Sequence, residues 1–278
     1  MTLRGMLCDL DGVIYRAQET CPGAVEGITS ARAAGVRVLF MTNNASRTPQ
    51  DVADQLSSLG LPTTADEVLT AAQVAAALVA QEHPQLTTGE AGSVLAVGGA
   101  GVGAALAEHG IPWVDAATAR AAASAGDGVV PVVVQGYGPE VGVLDLTEAA
   151  YAVSAGADWV ATNDDATLPT ERGLAPGNGS LVAAVRHATG LVPQVVGKPH
   201  AAAYQEALAR LDLPVEECLM VGDRLDTDIA GARAVGLRSA LVLTGVATLE
   251  EARAAAEPMR PDLTVSVLTE LSHLWEAS

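Results

Sequence analysis

Short apolar runs alternate with stretches of helical period along almost the whole chain. MLCDL (6–10), VRVLFMT (36–42), VLAV (94–97), VVPVVVQGY (129–137), DWVATN (158–163), QVVGK (194–198), CLMVG (218–222), SALVL (239–243) and LTV (263–265) predict strands. Pro131 cannot donate to a ladder, so 129–137 is expected at an edge or a bulge. Between the runs lie helical signatures. One follows Pro22-Gly23, with Val25 and Ile28 inward and Gly35 at its end. Thr48-Pro49 is an N-cap followed by proline, and Val52, Leu56 and Leu59 then recur at i, i+4 and i+7 up to Gly60. Further helices are expected over 71–81, up to about Gly110, over 146–155 and 179–190, up to about Leu211, over 227–236, after Thr248, and at the end of the chain. Strands alternating with helices predict an α/β fold, a doubly wound parallel sheet covered on both faces. Ligands of such sheets bind at the carboxyl ends of the strands. The polar residues expected there are Asp9 with Asp11, Thr42-Asn43-Asn44, Lys198, and Asp223 with Asp228, from four strands. Helix N-caps also place Asp, Thr and Asn after strands, but capping explains neither the DxD pair nor the lysine.

Composition narrows the partners. The 278 residues suffice for one or two domains, and 49% hydrophobic with 17% charged residues suits a globular chain. The formal net charge of −18 repels nucleic acid and anionic lipid, which argues against both as partners. It also repels phosphates, so a phosphate site here needs a local positive charge. Cys8, Cys21 and Cys218 form no CxxC, which suits a reducing cytoplasm. Asp9 and Asp11 interrupt any N-terminal apolar stretch, so no signal peptide is expected. No apolar run approaches the roughly 18 residues of a membrane span. A soluble, cytoplasmic protein is the expectation. Fourteen of the fifteen basic residues are arginine, and the single lysine is Lys198, in VVGKPH. A position that keeps lysine against that bias needs a compact ammonium, which a planar guanidinium cannot imitate.

These residue types have a shared chemistry. On one strand Asp9 and Asp11 would project to the same side. Asp9, with a reference pKa of about 3.9, is expected to be ionised and able to attack as a nucleophile. Attack on a phosphate dianion sets like charges together, and a hard divalent cation such as Mg²⁺ relieves this. In GDRLDTD (222–228), Asp223 at a strand tip can reach a metal shared with Asp9, and Asp228 can orient a metal-bound water. Asp11, its pKa raised beside an ionised Asp9, can serve as acid and then base. Thr42, Asn43 and nearby N–H groups can hydrogen-bond phosphoryl oxygens, Lys198 can neutralise charge, and Gly12 allows close backbone approach.

DLDGV, TNN, GKP and GDRLDTDI, in that order, resemble the four motifs of the haloacid-dehalogenase-like hydrolases. MTNNASRT and ATNDDATLP…APGNGSLVAAV further resemble the p-nitrophenyl-phosphatase-like subfamily, which hydrolyses small phosphomonoesters such as glycerol phosphate, phosphoglycolate, pyridoxal phosphate and nucleotides. The resemblance implies a Rossmann-like core, 1–79 and 194–278, with a smaller α/β cap inserted at 80–193. It implies Asp9 as nucleophile, Asp11 as general acid and base, and Thr42 and Lys198 on the phosphate. It implies Mg²⁺ held by Asp9, the Asp11 carbonyl and Asp223, with Asp228 behind them. Substrate contacts are expected from Gly12, Asn43 and Asn44. The resemblance leaves specificity to the cap, with 161–170 as the segment facing substrate. Asp164 and Asp165 there either read a substrate hydroxyl or make a turn, and Leu168 offers no charge. Dimerisation through the cap is a further implication.

Rival readings explain less. GGAGVGA (98–104) contains G-x-G-x-x-A after a strand, a weak dinucleotide signature whose acidic partner, Asp115, comes early. Cys218 to Arg224 has the C-x5-R spacing of cysteine phosphatases, but its interior, LMVGD, reads as a buried strand ending in an anion. A phospho-receiver module shares acidic residues, a Thr and a Lys, yet is much shorter and lacks a first-strand DxDG. A non-catalytic binding protein would not need Asp9, Asp11 and Lys198 together. The five histidines show no ligand spacing.

Overall fold

A computed structural model describes residues 3–88, 92–125, 130–170 and 172–275. The chain folds into two compact units: Met1–Thr42, Pro49–Leu69 and Lys198–Ser278 form the first, and Asn43–Thr48 with Thr70–Gly197 the second. The resemblance to the hydrolase family implies an insert at 80–193. The helix Ala71–Glu82 belongs with the insert because its buried alanines and valines pack on the helix Ala100–Glu108.

The first unit is built on a six-stranded sheet in the order Leu263–Val265, Arg238–Val242, Cys218–Gly222, Gly5–Asp9, Arg37–Thr42, Val68–Thr70. Gly5–Asp9 lies centrally and pairs in parallel with the strands on both sides, Cys8 opposite Val221 and Phe40. All five of its residues are buried, as a strand covered on both faces requires. Helix Ala24–Ala33 presents Ala24, Ile28 and Ala31 to the core, with Val25 only half-buried, and Pro49–Ser58 presents Val52 and Leu56. Phe40, Met6, Leu10 and Ile14 are wholly enclosed. Burying each such side chain favours folding by about 1.5–3 kcal/mol.

The second unit carries a smaller parallel sheet of five strands, in the order Gln194–Val195, Asp158–Ala161, Val132–Gln135, Val94–Val97, Trp113–Val114. Leu95, Val97, Val133, Ala149, Trp159 and Val185 fill its own core. A two-stranded hairpin, Thr167–Thr170 with Gly173–Pro176, is attached.

Three expectations are corrected. The strand expected at 129–137 runs Val132–Gln135 and is the central strand of its sheet, not an edge; Val129 lies outside the described residues. Pro131 precedes the ladder, where its missing N–H costs nothing and its carbonyl accepts from Asp158 N at 2.9 Å. The strand expected at 194–198 is only Gln194–Val195, and it edges the smaller sheet. Lys198 therefore follows a strand of the insert and begins the returning core segment, so three core strands, not four, end at the site. Third, the first strand stops at Asp9, and Asp11 lies past it in a turn closed by Gly12 at φ 78°. The amides of Ile14 and Tyr15 turn back onto the Leu10 carbonyl at 2.8 and 3.2 Å, which ends the ladder. Asp9 and Asp11 are thus not alternate residues of one strand. Among the described residues no helix is long and apolar enough to cross a membrane.

Candidate active site

Asp9, Thr42 and Asp223 stand at the carboxyl ends of three adjacent parallel strands of the first unit. Neighbouring strands lie about 4.8 Å apart, so side chains at their tips can share one small ligand. Oxygens of Asp9, Asp223 and Asp228 lie within 4.8 Å of one another. All three are buried, and Lys198 joins them at 4% exposure. The Lys198 ammonium sits 2.6 Å from Asp9 Oδ1 and 2.7 Å from Asp228 Oδ1. Asp228 spends its other oxygen on the backbone amides of Asp223 (3.2 Å) and Arg224 (3.1 Å). This fastens the turn after Cys218–Gly222, and it needs Gly222, because a Cβ there would collide with the Asp228 side chain.

The charge count decides what the cluster can hold. Three buried carboxylates face one ammonium. Burial, together with Asp228, pushes the Asp9 carboxyl well above its ordinary value, against the pull of Lys198. Burial and Asp228 also push Asp223 up to about 6. For Lys198 burial works toward neutrality, but Asp228 and Asp9 outweigh it and hold the ammonium well above the usual lysine range. Asp223 accepts from Val246 N at 2.7 Å through Oδ2, while its buried Oδ1 has no hydrogen-bond partner among the described residues. An unsatisfied buried carboxylate oxygen is costly. A hard divalent cation liganded by Asp9 and Asp223 would satisfy that oxygen and balance the charge, so the donor set fits Mg²⁺.

The remaining candidates separate. Asp11 is exposed, beside the buried Gly12. A Cβ at Gly12 would strike the Asp223 carboxylate, so glycine is required there by space as well as by its positive φ. Asn43, Asn44, Asp164 and Asp165 belong to the second unit. There Asn43 Nδ2 donates to Asp165 Oδ2 at 3.1 Å, Asn163 Nδ2 donates to the Asn43 carbonyl at 2.7 Å, and Asp165 N donates to Asn163 Oδ1 at 3.2 Å. Asn44 Oδ1 accepts from the amide and hydroxyl of Ser46, and Asp164 is exposed. Gly177 and Gly179 lie flush on this segment, their amides donating to Ala166 O and Asp165 O at 3.0 and 2.9 Å. Burial pushes the Cys218 thiol up to about 11, which removes it as a nucleophile.

Tyr204, Thr244, Gly222 and Gly245 escaped the sequence reading. Tyr204 donates to the carbonyls of Thr227 (2.8 Å) and Asp228 (3.2 Å) from below the site. None stands in a distinctive pattern, and only the glycine beside Asp223 in GDRLDTD carried a signal.

Family models and relatives of known sequence and structure match this chain. A family model described as haloacid dehalogenase-like hydrolase matches residues 6–112, and a HAD-hydrolase-like model matches residues 195–271. The chain is 47% identical over 255 residues to a D-glycerol 3-phosphate phosphatase of Mycobacterium tuberculosis, covering 92% of this chain and 67% of that protein. It is 35% identical over 268 residues to an acid sugar phosphatase of Staphylococcus saprophyticus, covering 96% of both. The crystal structure of a glycerol phosphate phosphatase from Mycobacterium tuberculosis in complex with magnesium matches with a TM-score of 0.85 at 44% identity, covering 97% of this chain and 76% of that one.

Proposed function

The chain belongs to the haloacid dehalogenase-like hydrolases, and we propose that it is a Mg²⁺-dependent phosphatase of small polyol or sugar phosphomonoesters that works through Asp9. The observation that carries the residue assignment is the Lys198 ammonium held on Asp9 beside three converging carboxylates.

Asp9 and Asp223, with the Asp11 carbonyl, are the ligands proposed for Mg²⁺, and Asp228 stands behind them, both of its oxygens engaged. Mg²⁺, when bound, screens the nucleophile and the phosphoryl oxygens from each other and keeps Asp9 ionised. An Asp9 carboxylate oxygen attacks phosphorus, and the bond from phosphorus to the alcohol oxygen breaks. Asp11 gives its proton to the departing alkoxide. Its exposed position suits an acid that must later meet water. In the second half Asp11 takes a proton from that water, which attacks the aspartyl-phosphate and releases inorganic phosphate and Asp9. Lys198 and the Thr42 hydroxyl neutralise and hydrogen-bond the phosphoryl oxygens, while Asp228 keeps the ammonium in place.

Choice of the leaving alcohol is assigned to the inserted unit, with Asn43, Asn44, Asp164 and Asp165 as the residues to vary. Relatives named D-glycerol 3-phosphate phosphatase and acid sugar phosphatase support a hydroxyl-rich leaving group. A cytoplasmic location suits the three unpaired cysteines. Dimerisation through the insert is supported by the exposed Val143 and Tyr151 on the helix Val143–Ser154.

The test is phosphate release from glycerol 3-phosphate, sugar phosphates, phosphoglycolate, nucleoside monophosphates and p-nitrophenyl phosphate, with Mg²⁺ and with EDTA. Mg²⁺-dependent turnover favouring the polyol esters is expected, and Asp9→Asn should abolish it while the protein stays folded. Activity that survives EDTA, or an Asp9→Asn enzyme with more than a few per cent of wild-type rate, would overturn the assignment.

A further inference from the structure

The segment 244–247 follows the strand Arg238–Val242 and takes no part in the chemistry above, yet it touches both metal-facing parts of the site. Thr244 Oγ1 donates to the Gly12 carbonyl at 2.7 Å. Two residues later Val246 N donates to Asp223 Oδ2 at 2.7 Å, and Ala247 N donates to the Asp223 carbonyl at 3.0 Å. Between them Gly245 lies so close that a Cβ would collide with the Asp223 carboxylate, and a Cβ on Gly12 would come within 2.8 Å of the Gly245 Cα. The Arg16 guanidinium closes the far side by donating to the Gly245 carbonyl.

The 9–12 turn lies where these bonds converge. It leaves the sheet at Asp9, and Gly12 carries a positive φ that favours no side chain. Its internal bonds run from Gly12 N to Tyr15 O at 2.8 Å and from the following amides to Leu10 O. The Thr244 hydroxyl bond ties this turn to the loop that holds Asp223. That loop holds both metal-facing parts: its Val246 amide binds the Asp223 carboxylate, and its Thr244 hydroxyl binds the Gly12 carbonyl, one peptide beyond the Asp11 carbonyl. Because Oδ2 of Asp223 is committed to Val246, Oδ1 is the oxygen presented to a cation.

We propose that Thr244 is a positioning residue for the Mg²⁺ site, its hydroxyl locking the 9–12 turn to the loop that orients Asp223. The proposal rests on the Mg²⁺-phosphatase reading and adds a residue outside the proposed ligand set. Groups that orient metal ligands typically alter metal affinity or activity by about 10- to 100-fold when lost.

The experiment measures Mg²⁺ affinity of the full chain without substrate, by isothermal titration calorimetry, beside kcat and KM. Thr244→Val keeps the shape and deletes the donor. It is expected to weaken Mg²⁺ binding at least about tenfold and to lower kcat more than it changes KM. Thr244→Ser restores the hydroxyl and is expected to recover most of both. A Thr244→Val protein with wild-type Mg²⁺ affinity and kcat overturns the proposal. So does a Thr244→Ser protein as impaired as Thr244→Val, because the methyl packing and not the hydroxyl would then matter. Should Thr244→Val fail to fold, Thr244→Ser against Thr244→Cys decides: a fall in Mg²⁺ affinity confined to Cys supports the proposal, and equal affinities overturn it. A wild-type protein that binds no Mg²⁺ and releases no phosphate fails the underlying reading instead, and is told apart by being measured first.

Discussion

An ammonium that meets two carboxylates at 2.6 and 2.7 Å in a buried pocket leaves no space for a guanidinium. Lys198→Arg keeps the charge, so the fold is expected to survive. The larger, planar head must displace Asp9 or Asp228, and a misplacement of about 1 Å at a reacting group costs on the order of 100-fold in rate. A kcat within threefold of wild type would show that only charge matters at this position. Asp223 leads to a prediction about pH. Burial and Asp228 raise its folded value from 3.8 to about 6. The folded state therefore holds a proton that the unfolded state has released between those values, and that contribution to metal-free stability is present below about pH 4 and lost as pH rises through about 6. Above that range the ionised cluster is the form that binds Mg²⁺. The rise in Tm from EDTA to saturating Mg²⁺ is thus expected to be largest near pH 8 and to fade as pH drops below about 6. A shift equally large at pH 5 and pH 8 would exclude Asp223 from the metal site.

The elements around these residues were unequally legible. Strands 94–97, 218–222 and 263–265 coincide with those read from apolar runs; the first two are inner strands, which must be apolar on both faces, while Leu263–Val265 edges its sheet with Thr264 exposed. The two-residue strands Tyr15–Arg16, Glu19–Thr20 and Trp113–Val114 are too short to show a period. Asp9, Asp11, Lys198 and Asp223 were visible because charge at a strand end is out of place unless chemistry needs it. Thr244 and Tyr204 were not, because their importance lies in contacts between residues distant in sequence. The stretch 227–236, read as one regular helix, shows why this matters: it opens with a π turn, Leu225–Ile229, before the helix Ala230–Ala234. Such turns disturb the carbonyl ladder and recur at functional sites. Here the buried Tyr204 hydroxyl meets the carbonyls of Thr227 and Asp228, and Gly231 makes room for its ring. Tyr204→Phe keeps the ring and removes the donor. It is expected to cost about 1–2 kcal/mol in a denaturant titration and to lower kcat several-fold by loosening Asp228. Stability lost with kcat intact would mean that the hydroxyl serves the fold and leaves the catalytic geometry untouched.

At the scale of the whole molecule, 33 acidic residues against 15 basic ones surround a site that must attract a phosphate dianion. Lys198 answers this locally, but two carboxylates already claim its charge, and the long-range field stays repulsive. Salt should therefore help this enzyme find its substrate, the reverse of what a basic phosphate-binding surface would show. Raising ionic strength from about 0.01 M to 0.15 M shortens the screening length from about 30 Å to about 8 Å. With free Mg²⁺ and pH held constant, kcat/KM for glycerol 3-phosphate is expected to rise about two- to fivefold over that interval, as screening weakens the repulsive field that slows encounter. The nucleophile Asp9 and its partners Lys198 and Asp223 are buried and little screened by bulk ions, so kcat should change less than kcat/KM. A kcat/KM that falls with salt would mean that the site's own positive potential, carried by Lys198 and Mg²⁺, extends past its mouth and outweighs the acidic surface. The net charge would then bear on solubility and have no part in substrate capture.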